Sequence, residues 1–259
     1  MAVKNTHDYE WPVVNSDLIS AEEIKQDIDV VVWSVQLASI KRYFRQPFWQ
    51  AETISSEKAS LYETTFRLES VAEHSWHVAD IILLLAPHFT YINASRCLEL
   101  AILHDKLEII TGDLSPIDRS GTGKSTHAFN EHKQAAKSLN ESEALEQYLK
   151  KLRPSAREFQ RHTILEIIAG TTCEARFVKA VDKLQALVFV FLKKKGNFKD
   201  QHLSFTLRYA EKATFTFPPL EPYYQELRAR IIQSVSEYRS ISVPQVEALL
   251  KKHPTLPFG

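Results

Sequence analysis

The chain has 259 residues, of which 44% are hydrophobic and 25% are charged, and its 32 basic side chains balance its 32 acidic ones. This composition is typical of a globular protein with a sizeable core. The zero formal charge argues against duplex nucleic acid as a partner, because duplex binding normally leaves a basic surface. No apolar run is long enough to cross a bilayer, so we expect no membrane partner.

The two cysteines, Cys97 and Cys173, are fewer than a secreted disulfide scaffold uses. They lack the spacing of a CxxC or zinc-finger motif, so we interpret both as small buried hydrophobic residues. The first residues also lack the apolar segment of a signal peptide. These features predict a cytoplasmic protein in a reducing compartment.

Helical periodicity and only 6 glycines predict an all-α protein. Ser20 and Glu23 form a capping box that opens the first helix, and Pro47 is expected to stop it. The apolar stripe of this helix is Ile24, Ile28, Val31, Val35 and Ala38. The polar, poorly periodic segment 50–68 predicts a loop.

The remaining elements follow from the same apolar repeats and from caps and glycines. We predict helices over about 70–87, from Asn93 to before Gly112, and over about 128–151, 155–169 and 173–195, with a loop at 114–127. About three shorter helices should follow. The chain then divides into an N-terminal segment (1–19), a helical catalytic domain (20–197) and a C-terminal helical extension (198–259) packed on that domain.

The stretch "LELAILHDKLEIITGDLSP" places His104 and Asp105 inside an apolar run, with Glu108 and Asp113 shortly after them. Buried ionisable groups are costly unless they are paired or bind a metal. On a helix, His104 and Glu108 are four residues apart and Asp105 and Glu108 three apart, so they project from neighbouring parts of one face. Taken alone, the motif also fits a solvated helix end with one core histidine.

Two other helices carry an ionisable residue on an apolar face. His74 is in phase with Val71 and Val78, and Asp182 is in phase with Val178 and Phe189. With His104 and Asp105 they make two imidazoles and two carboxylates on three successive helices, a set that helix bundles use for divalent metals. Mixed nitrogen and oxygen ligation admits Mn, Fe, Co, Ni or Zn.

Three segments, "ESVAEHSWHVA", "RCLELAILHDKLEIITGDLSP" and "EARFVKAVDKLQAL", resemble in the same order those of the HD-domain phosphohydrolases, in particular the 5'-deoxynucleotidase branch. The resemblance covers about residues 40–194. It implies an HD-domain helical bundle, here with a C-terminal extension. It also implies a metal-dependent enzyme, often a homodimer, that removes the 5'-phosphate from (deoxy)nucleoside monophosphates.

The resemblance also implies roles for single residues. The ligands of one divalent ion (Mn, Co, Fe, Ni, Zn or Mg) would be His74, His104, Asp105 and Asp182. Glu108 would be the acid/base group beside the attacking water, and Asp113 would lie at the substrate. An arginine of the first helix contacts the phosphate in this branch, and Arg45 in "IKRYFRQP" is the match. An aromatic residue often follows that arginine, but Gln46 stands there in this chain.

Three alternatives remain open. The segment "SGTGKST" (120–126) lacks the first glycine of a P-loop, since Asp118 occupies that position, so we predict a flexible loop in which Lys124 would meet a phosphate at the mouth of the cleft. The enzyme would alternatively be a dNTP triphosphohydrolase or another HD-type nucleotide phosphohydrolase. A non-catalytic, metal-stabilised nucleotide-binding scaffold is the third reading, but a structural site has no use for Glu108 as an acid/base group.

Overall fold

The computed structural model describes residues 20–43, 46 and 68–252. These residues form an all-α fold, as predicted, and the only β-type pairing among them is an isolated bridge between Lys41 and Ser70. The helices are α1 Ala21–Ser34, α2 Val71–Leu85, α3 Ala94–Leu103, α4 Glu108–Thr111, α5 Glu131–Leu149, α6 Pro154–Ala169, α7 Cys173–Lys194, α8 Asp200–Thr216, α9 Glu221–Arg239 and α10 Val243–Lys252. Short 3-10 segments are Val35–Ser39, Ala86–His88 and Pro218–Leu220.

The two helices that carry His74 and Asp182 begin at side-chain caps. Ser70 accepts a hydrogen bond from the backbone of Glu73, and the Glu73 carboxylate accepts one from the Ser70 backbone, which completes a capping box. At the start of α7, the Thr172 hydroxyl accepts a hydrogen bond from the Ala175 backbone. These caps fix the start of each helix and therefore the face on which its ionisable residue lies.

The first helix differs from its prediction. It begins at the predicted capping box but ends at Ser34, and Pro47 lies outside the described residues. Ile24, Ile28 and Val31 are more than half exposed. The opposite face packs instead, and Trp33 stacks on Tyr148 with 5.5 Å between ring centroids.

The main core forms around α7, which contacts α2, α3, α6, α8 and α9. Phe177, Val178, Val181 and Leu184 of α7 are buried, and α10 joins the same core through Val246. The predicted extension thus packs on the helix that carries Asp182, although its division from residues 20–197 stays a prediction.

Cys97 is buried as expected, whereas the prediction for Cys173 is wrong, because it lies exposed at the start of α7.

Within the described part of the chain, none of the helices is both long enough and apolar enough to cross a membrane.

The predicted loop at 114–127 is present in the structure. The Asp118 carboxylate accepts hydrogen bonds from the hydroxyl groups of Ser120 and Ser125 and so holds the "SGTGKST" segment as a closed turn rather than a P-loop after a strand.

The turn between α7 and α8 requires glycine at position 196. Gly196 has φ +84°, and a Cβ there would lie 2.2 Å from the Ser234 carbonyl oxygen and 2.6 Å from the Tyr238 Cβ on α9. We expect Gly196→Ala to lower the free energy of unfolding by about 2–4 kcal/mol, from backbone strain and overpacking together. Chemical denaturation measures this loss.

Gly170→Ala is the matched control for this prediction. Gly170 also has a positive φ, of +64°, but its Cβ would meet only the far end of the long Lys179 side chain and no backbone atom. The control should lose about 1 kcal/mol, the backbone part alone. Equal losses in the two variants would show that the contact with α9 does not constrain the turn.

Candidate active site and metal centre

A break in the helix lets His104 and Asp105 face the same point. We expected a continuous helix through Glu108, and this is wrong, because α3 ends at Leu103 and α4 begins at Glu108. The turn between them uses i→i−3 hydrogen bonds from Lys106 to Leu103 (3.2 Å) and from Glu108 to Asp105 (3.0 Å). Adjacent side chains diverge on a regular helix, so this turn is what brings both residues towards His74.

The four predicted metal ligands converge at this turn. The Nε2 atom of His74 lies 3.2 Å from Nε2 of His104, 3.1 Å from Oδ1 of Asp182 and 3.6 Å from Oδ2 of Asp105. Nε2 of His104 lies 3.0 Å from the same Asp105 oxygen. Ligand atoms of His74, His104 and Asp182 all lie within 4.8 Å of one another and could hold a metal ion, and Asp105 adds a carboxylate oxygen close to both imidazoles.

The outer ring nitrogens show how the imidazoles are oriented. Nδ1 of His104 lies 2.7 Å from the Ala101 carbonyl oxygen, and Nδ1 of His74 lies 2.6 Å from Oε1 of Gln185. If each Nδ1 donates its proton outwards, both Nε2 lone pairs point inwards beside two carboxylates. Four electron-pair donors so close repel one another unless a positive charge lies among them. The residues therefore fit a divalent cation.

The pKa values of the same side chains show that this point attracts positive charge. Burial alone would lower the pKa of His104, but the neighbouring Asp105 carboxylate raises it above its ordinary value. Burial alone would raise the pKa of Asp105, but His104 holds it well below the ordinary range. Burial and the charge of Arg42 lower the pKa of His74, which keeps that imidazole neutral and able to bind a metal.

Glu108 and Asp113 lie beside this cluster and line the same cavity. Oε2 of Glu108 is buried and has no hydrogen-bond partner among the described residues. Burial raises the pKa of Glu108 well above its ordinary value, and the charges of Asp105 and Asp113 raise it further. Asp113 accepts a hydrogen bond from the backbone of Tyr43 at 3.2 Å, and burial raises its pKa. Glu108 is thus a half-buried residue whose Oε2 atom is shielded from solvent and whose raised pKa favours proton exchange.

The cavity beside the cluster has a volume of about 120 Å³ and runs between α7 and α8. Its α7 wall extends from Asp182 to Val190, a distance of about 12 Å at 1.5 Å per residue. Lys183 lies over the ring of Tyr209 on α8, 5.2 Å from its centroid. Since α8 returns antiparallel to α7, His202 lies near Val190, at the end away from the cluster.

Two lysines outside the predicted set of site residues line this cavity. Lys183 forms an ion pair with Asp182, and Lys137 of α5 lies 3.4 Å from Glu141. The position of Lys183, next to a predicted ligand, was the available signal, whereas nothing in the sequence marks Lys137. Lys124 is exposed in the loop and is not among the lining residues, so its role stays a prediction.

Arg42 is the arginine that the structure brings to the cluster. Its Nη1 lies 2.9 Å from Oε2 of Glu69 and 2.6 Å from Nδ1 of His74, and the residue lines the cavity. The predicted Arg45 lies outside the described residues. A signal for Arg42 was present, because Tyr43 follows it directly and supplies the aromatic residue that Arg45 lacks.

Comparison of the sequence with known protein families identifies the family of this chain. The sequence profile of the HD domain matches residues 57–220, more than half of the chain. The chain belongs to the HD domain family. This HD domain spans α2, the turn with His104 and Asp105, α7 and α8, and so includes every predicted metal ligand.

The chain is also similar to curated proteins. It is 32% identical over 135 residues to the 5'-deoxynucleotidase hdd1 of Schizosaccharomyces pombe, covering 51% of this chain and 61% of that protein. It is 30% identical over 146 residues to the 5'-deoxynucleotidase HDDC2 of Xenopus laevis, covering 54% and 65%. The chain thus spans less than two thirds of the length of these relatives.

A solved structure supports the fold. A predicted metal-dependent phosphohydrolase from Magnetospirillum magnetotacticum superposes with a TM-score of 0.57 at 23% identity, covering 82% of this chain and 94% of that one. An HD-domain phosphohydrolase from Listeria innocua gives a TM-score of 0.53 at 19% identity, covering 88% and 98%. At these identities the likeness establishes the all-α HD-domain fold.

Proposed function

We propose that this HD domain protein is a metal-dependent phosphohydrolase that removes the 5'-phosphate from (deoxy)nucleoside monophosphates. The observation that carries the proposal is the convergence of two imidazoles and two carboxylates beside the buried Oε2 atom of Glu108, at one end of an elongated cavity. The curated relatives named 5'-deoxynucleotidases support the same reaction.

The proposed ligands of one divalent ion are His74, His104, Asp105 and Asp182, because their Nε2 and carboxylate oxygen atoms face one another. A divalent metal bound there would lower the pKa of a coordinated water molecule and would shield the negative charge on phosphoryl oxygens. The metal is Mn, Co, Fe, Ni, Zn or Mg, since the mixed ligand set does not select one of them.

The chain's own side chains would handle protons and the phosphate. Glu108 takes a proton from water or returns one to the leaving 5'-oxygen, because its carboxyl group has a raised pKa and its buried Oε2 atom has no competing partner among the described residues. Lys183 and Lys137 place positive charge on the cavity wall near the cluster. Asp113 lies beside Glu108 and would contact the sugar.

The rest of the cavity suits a nucleoside. Phosphate at the cluster leaves the sugar and base along the α7 wall, where Leu187 and Val190 are apolar. Phe205 and Tyr209 of α8 face this wall, and His202 gives the far end a polar group. The cavity thus combines a polar, charged end at the cluster with apolar and aromatic side chains along α7 and α8, a mixed lining that suits a nucleotide.

A substrate panel tests the proposal against its alternatives. Full-length protein is assayed for phosphate release from nucleoside and deoxynucleoside monophosphates and triphosphates, with Mn²⁺, Co²⁺ or Mg²⁺. We expect inorganic phosphate from the monophosphates. Triphosphate release from dNTPs would instead identify a triphosphohydrolase, and metal and nucleotide binding without turnover would identify the scaffold.

Two further proposals concern assembly and location. We propose a homodimer, as the family resemblance implies, and a cytoplasmic location. Cys97 and Cys173 are both free thiols, as a reducing compartment allows. Light scattering on the purified chain and fractionation of cells measure these two properties.

Arg42 is expected to bind the substrate phosphate. Among the described residues its side-chain polar contacts all use Nη1, which leaves Nη2 and Nε for an anion in the cavity. We expect Arg42→Lys to raise KM for a nucleoside monophosphate about tenfold, because lysine keeps the charge but loses the planar fork. Steady-state kinetics measure this change.

The neighbouring Lys41 provides the control. Its Nζ donates to the Ala38 carbonyl oxygen, and it is absent from the cavity wall. Lys41→Arg should therefore leave KM unchanged. A KM of Arg42→Lys equal to that of the wild type would remove Arg42 from the proposed phosphate site.

A further inference from the structure

A buried hydrogen-bond network lies behind His74, on the side away from the metal cluster. Glu69 and Gln185 are each 3% exposed and His74 is fully buried. Nε2 of Gln185 donates to Oε1 of Glu69 at 2.7 Å, and Oε1 of Gln185 lies 2.6 Å from Nδ1 of His74. The network joins the residue that precedes the α2 cap to α7 and to the first turn of α2.

Glu69 determines which way the Gln185 amide points. An ionised carboxylate only accepts hydrogen bonds, so the amide nitrogen of Gln185 must face Glu69 and the amide oxygen must face His74. That oxygen is an acceptor and needs a proton on Nδ1 of His74. The neutral imidazole has a single ring proton, so placing it on Nδ1 leaves Nε2 with a lone pair.

Arg42 competes for the same ring nitrogen. Its Nη1 lies 2.6 Å from Nδ1 of His74, and a guanidinium can only donate. If Arg42 donated to Nδ1, the ring proton would move to Nε2 and block that atom as a ligand. However, the same Nη1 has acceptors in Glu69 at 2.9 Å and in Gln185 at 3.3 Å. Gln185, whose Oε1 lies at the same distance of 2.6 Å from Nδ1, is the acceptor that favours the ring proton on Nδ1.

We infer that Gln185, oriented by Glu69, is a positioning residue that holds the ring proton of His74 on Nδ1 and turns its Nε2 lone pair towards the metal cluster. The inference rests on the proposed role of His74 as a metal ligand. Loss of such an outer partner typically weakens metal binding 10- to 100-fold. Gln185 contacts neither the cavity nor the other three proposed ligands through any described hydrogen bond.

The first test is Gln185→Leu, which keeps a similar volume but removes the amide. In the metal-free full-length protein, ¹⁵N NMR of the histidine rings reports the His74 tautomer, and Co²⁺ titration gives the dissociation constant. We expect the Nε2–H tautomer to appear and the Co²⁺ dissociation constant to rise 10- to 100-fold. Gln225→Leu, at an exposed position of α9, is the control and should change neither.

The second test reverses the pair. Glu69→Gln leaves two amides without a fixed orientation, whereas the double variant Glu69→Gln/Gln185→Glu again places a donor at 69 and an acceptor at 185, facing His74. We expect the double variant to recover the Nδ1–H tautomer and to bind Co²⁺ within about threefold of the wild type, while Glu69→Gln alone does not. If Gln185→Leu fails to fold, the comparison of Glu69→Gln with the double variant still tests whether Gln185 sets the His74 tautomer.

An unchanged His74 tautomer and unchanged Co²⁺ affinity in folded Gln185→Leu would overturn the inference, as would a double variant no better than Glu69→Gln. Neither readout depends on catalysis. A wild-type protein that binds Co²⁺ but releases no phosphate would overturn the proposed function while leaving the role of Gln185 intact.

Discussion

Glu108→Gln is expected to lower kcat for phosphate release from a nucleoside monophosphate by about 100-fold or more. Glutamine has the same shape as a protonated glutamate, so the cavity beside the cluster should keep its form. The glutamine amide cannot take up and return a proton as a carboxyl group can. Glu108 lies beside the proposed ligands, and its buried Oε2 atom has no competing hydrogen bond among the described residues. Steady-state phosphate release with the same bound metal content measures the loss.

Glu143→Gln on α5 is the matched control. Glu143 is exposed, and its substitution removes the same charge away from the cavity. It should leave kcat unchanged. If Glu108→Gln retains the kcat of the wild type with full metal content, Glu108 is not the acid/base group and the proposed mechanism fails.

The raised pKa of Glu108 also predicts an effect on stability. An acid whose folded-state pKa lies above its unfolded value binds more protons when folded, so folding stability falls as pH rises between those two pKa values. Glutamine has no such dependence. The metal-free Glu108→Gln variant should therefore gain Tm over the wild type at pH 8 but not at pH 4, a difference that thermal unfolding at both pH values measures. A constant difference would contradict the burial argument.

Helices with a recognisable N-terminal cap and a continuous apolar face could be predicted from the sequence alone. Helices α2 and α7 have side-chain caps at their starts and continuous apolar faces, so local rules were sufficient. His74 and Asp182 were selected because each interrupts such a face. Their convergence with the turn after α3 agrees with that selection.

Features that depend on which faces meet could not be predicted in this way. The apolar stripe of α1 is regular, yet Trp33 on another face makes the contact, because tertiary packing chooses between apolar faces of similar quality. Lys137 and His202 reach the cavity from helices distant in sequence. Gln185 was visible only as a polar residue in phase with Asp182, and its partner Glu69 lies 116 positions earlier.

Asp182→Asn is expected to remove most of the bound metal, to below about one tenth of the wild-type content after purification, and nearly all activity with it. Asparagine keeps the size of the side chain but removes a negative charge and makes a poorer ligand for a divalent cation. His74 Nε2 would then face an amide instead of a carboxylate oxygen at 3.1 Å. Elemental analysis and phosphate release on the same sample measure both effects.

The Asp182 charge also pairs with Lys183, which leaves two explanations for a loss of activity in Asp182→Asn. Lys183→Met separates them, because it removes the ion pair and keeps the carboxylate. If Asp182 is a ligand, Lys183→Met retains the metal and only Asp182→Asn loses it. Asp80→Asn at an exposed position of α2 should change neither property. Full metal content in Asp182→Asn would exclude Asp182 from the ligand set and, with it, the four-ligand centre proposed for this chain.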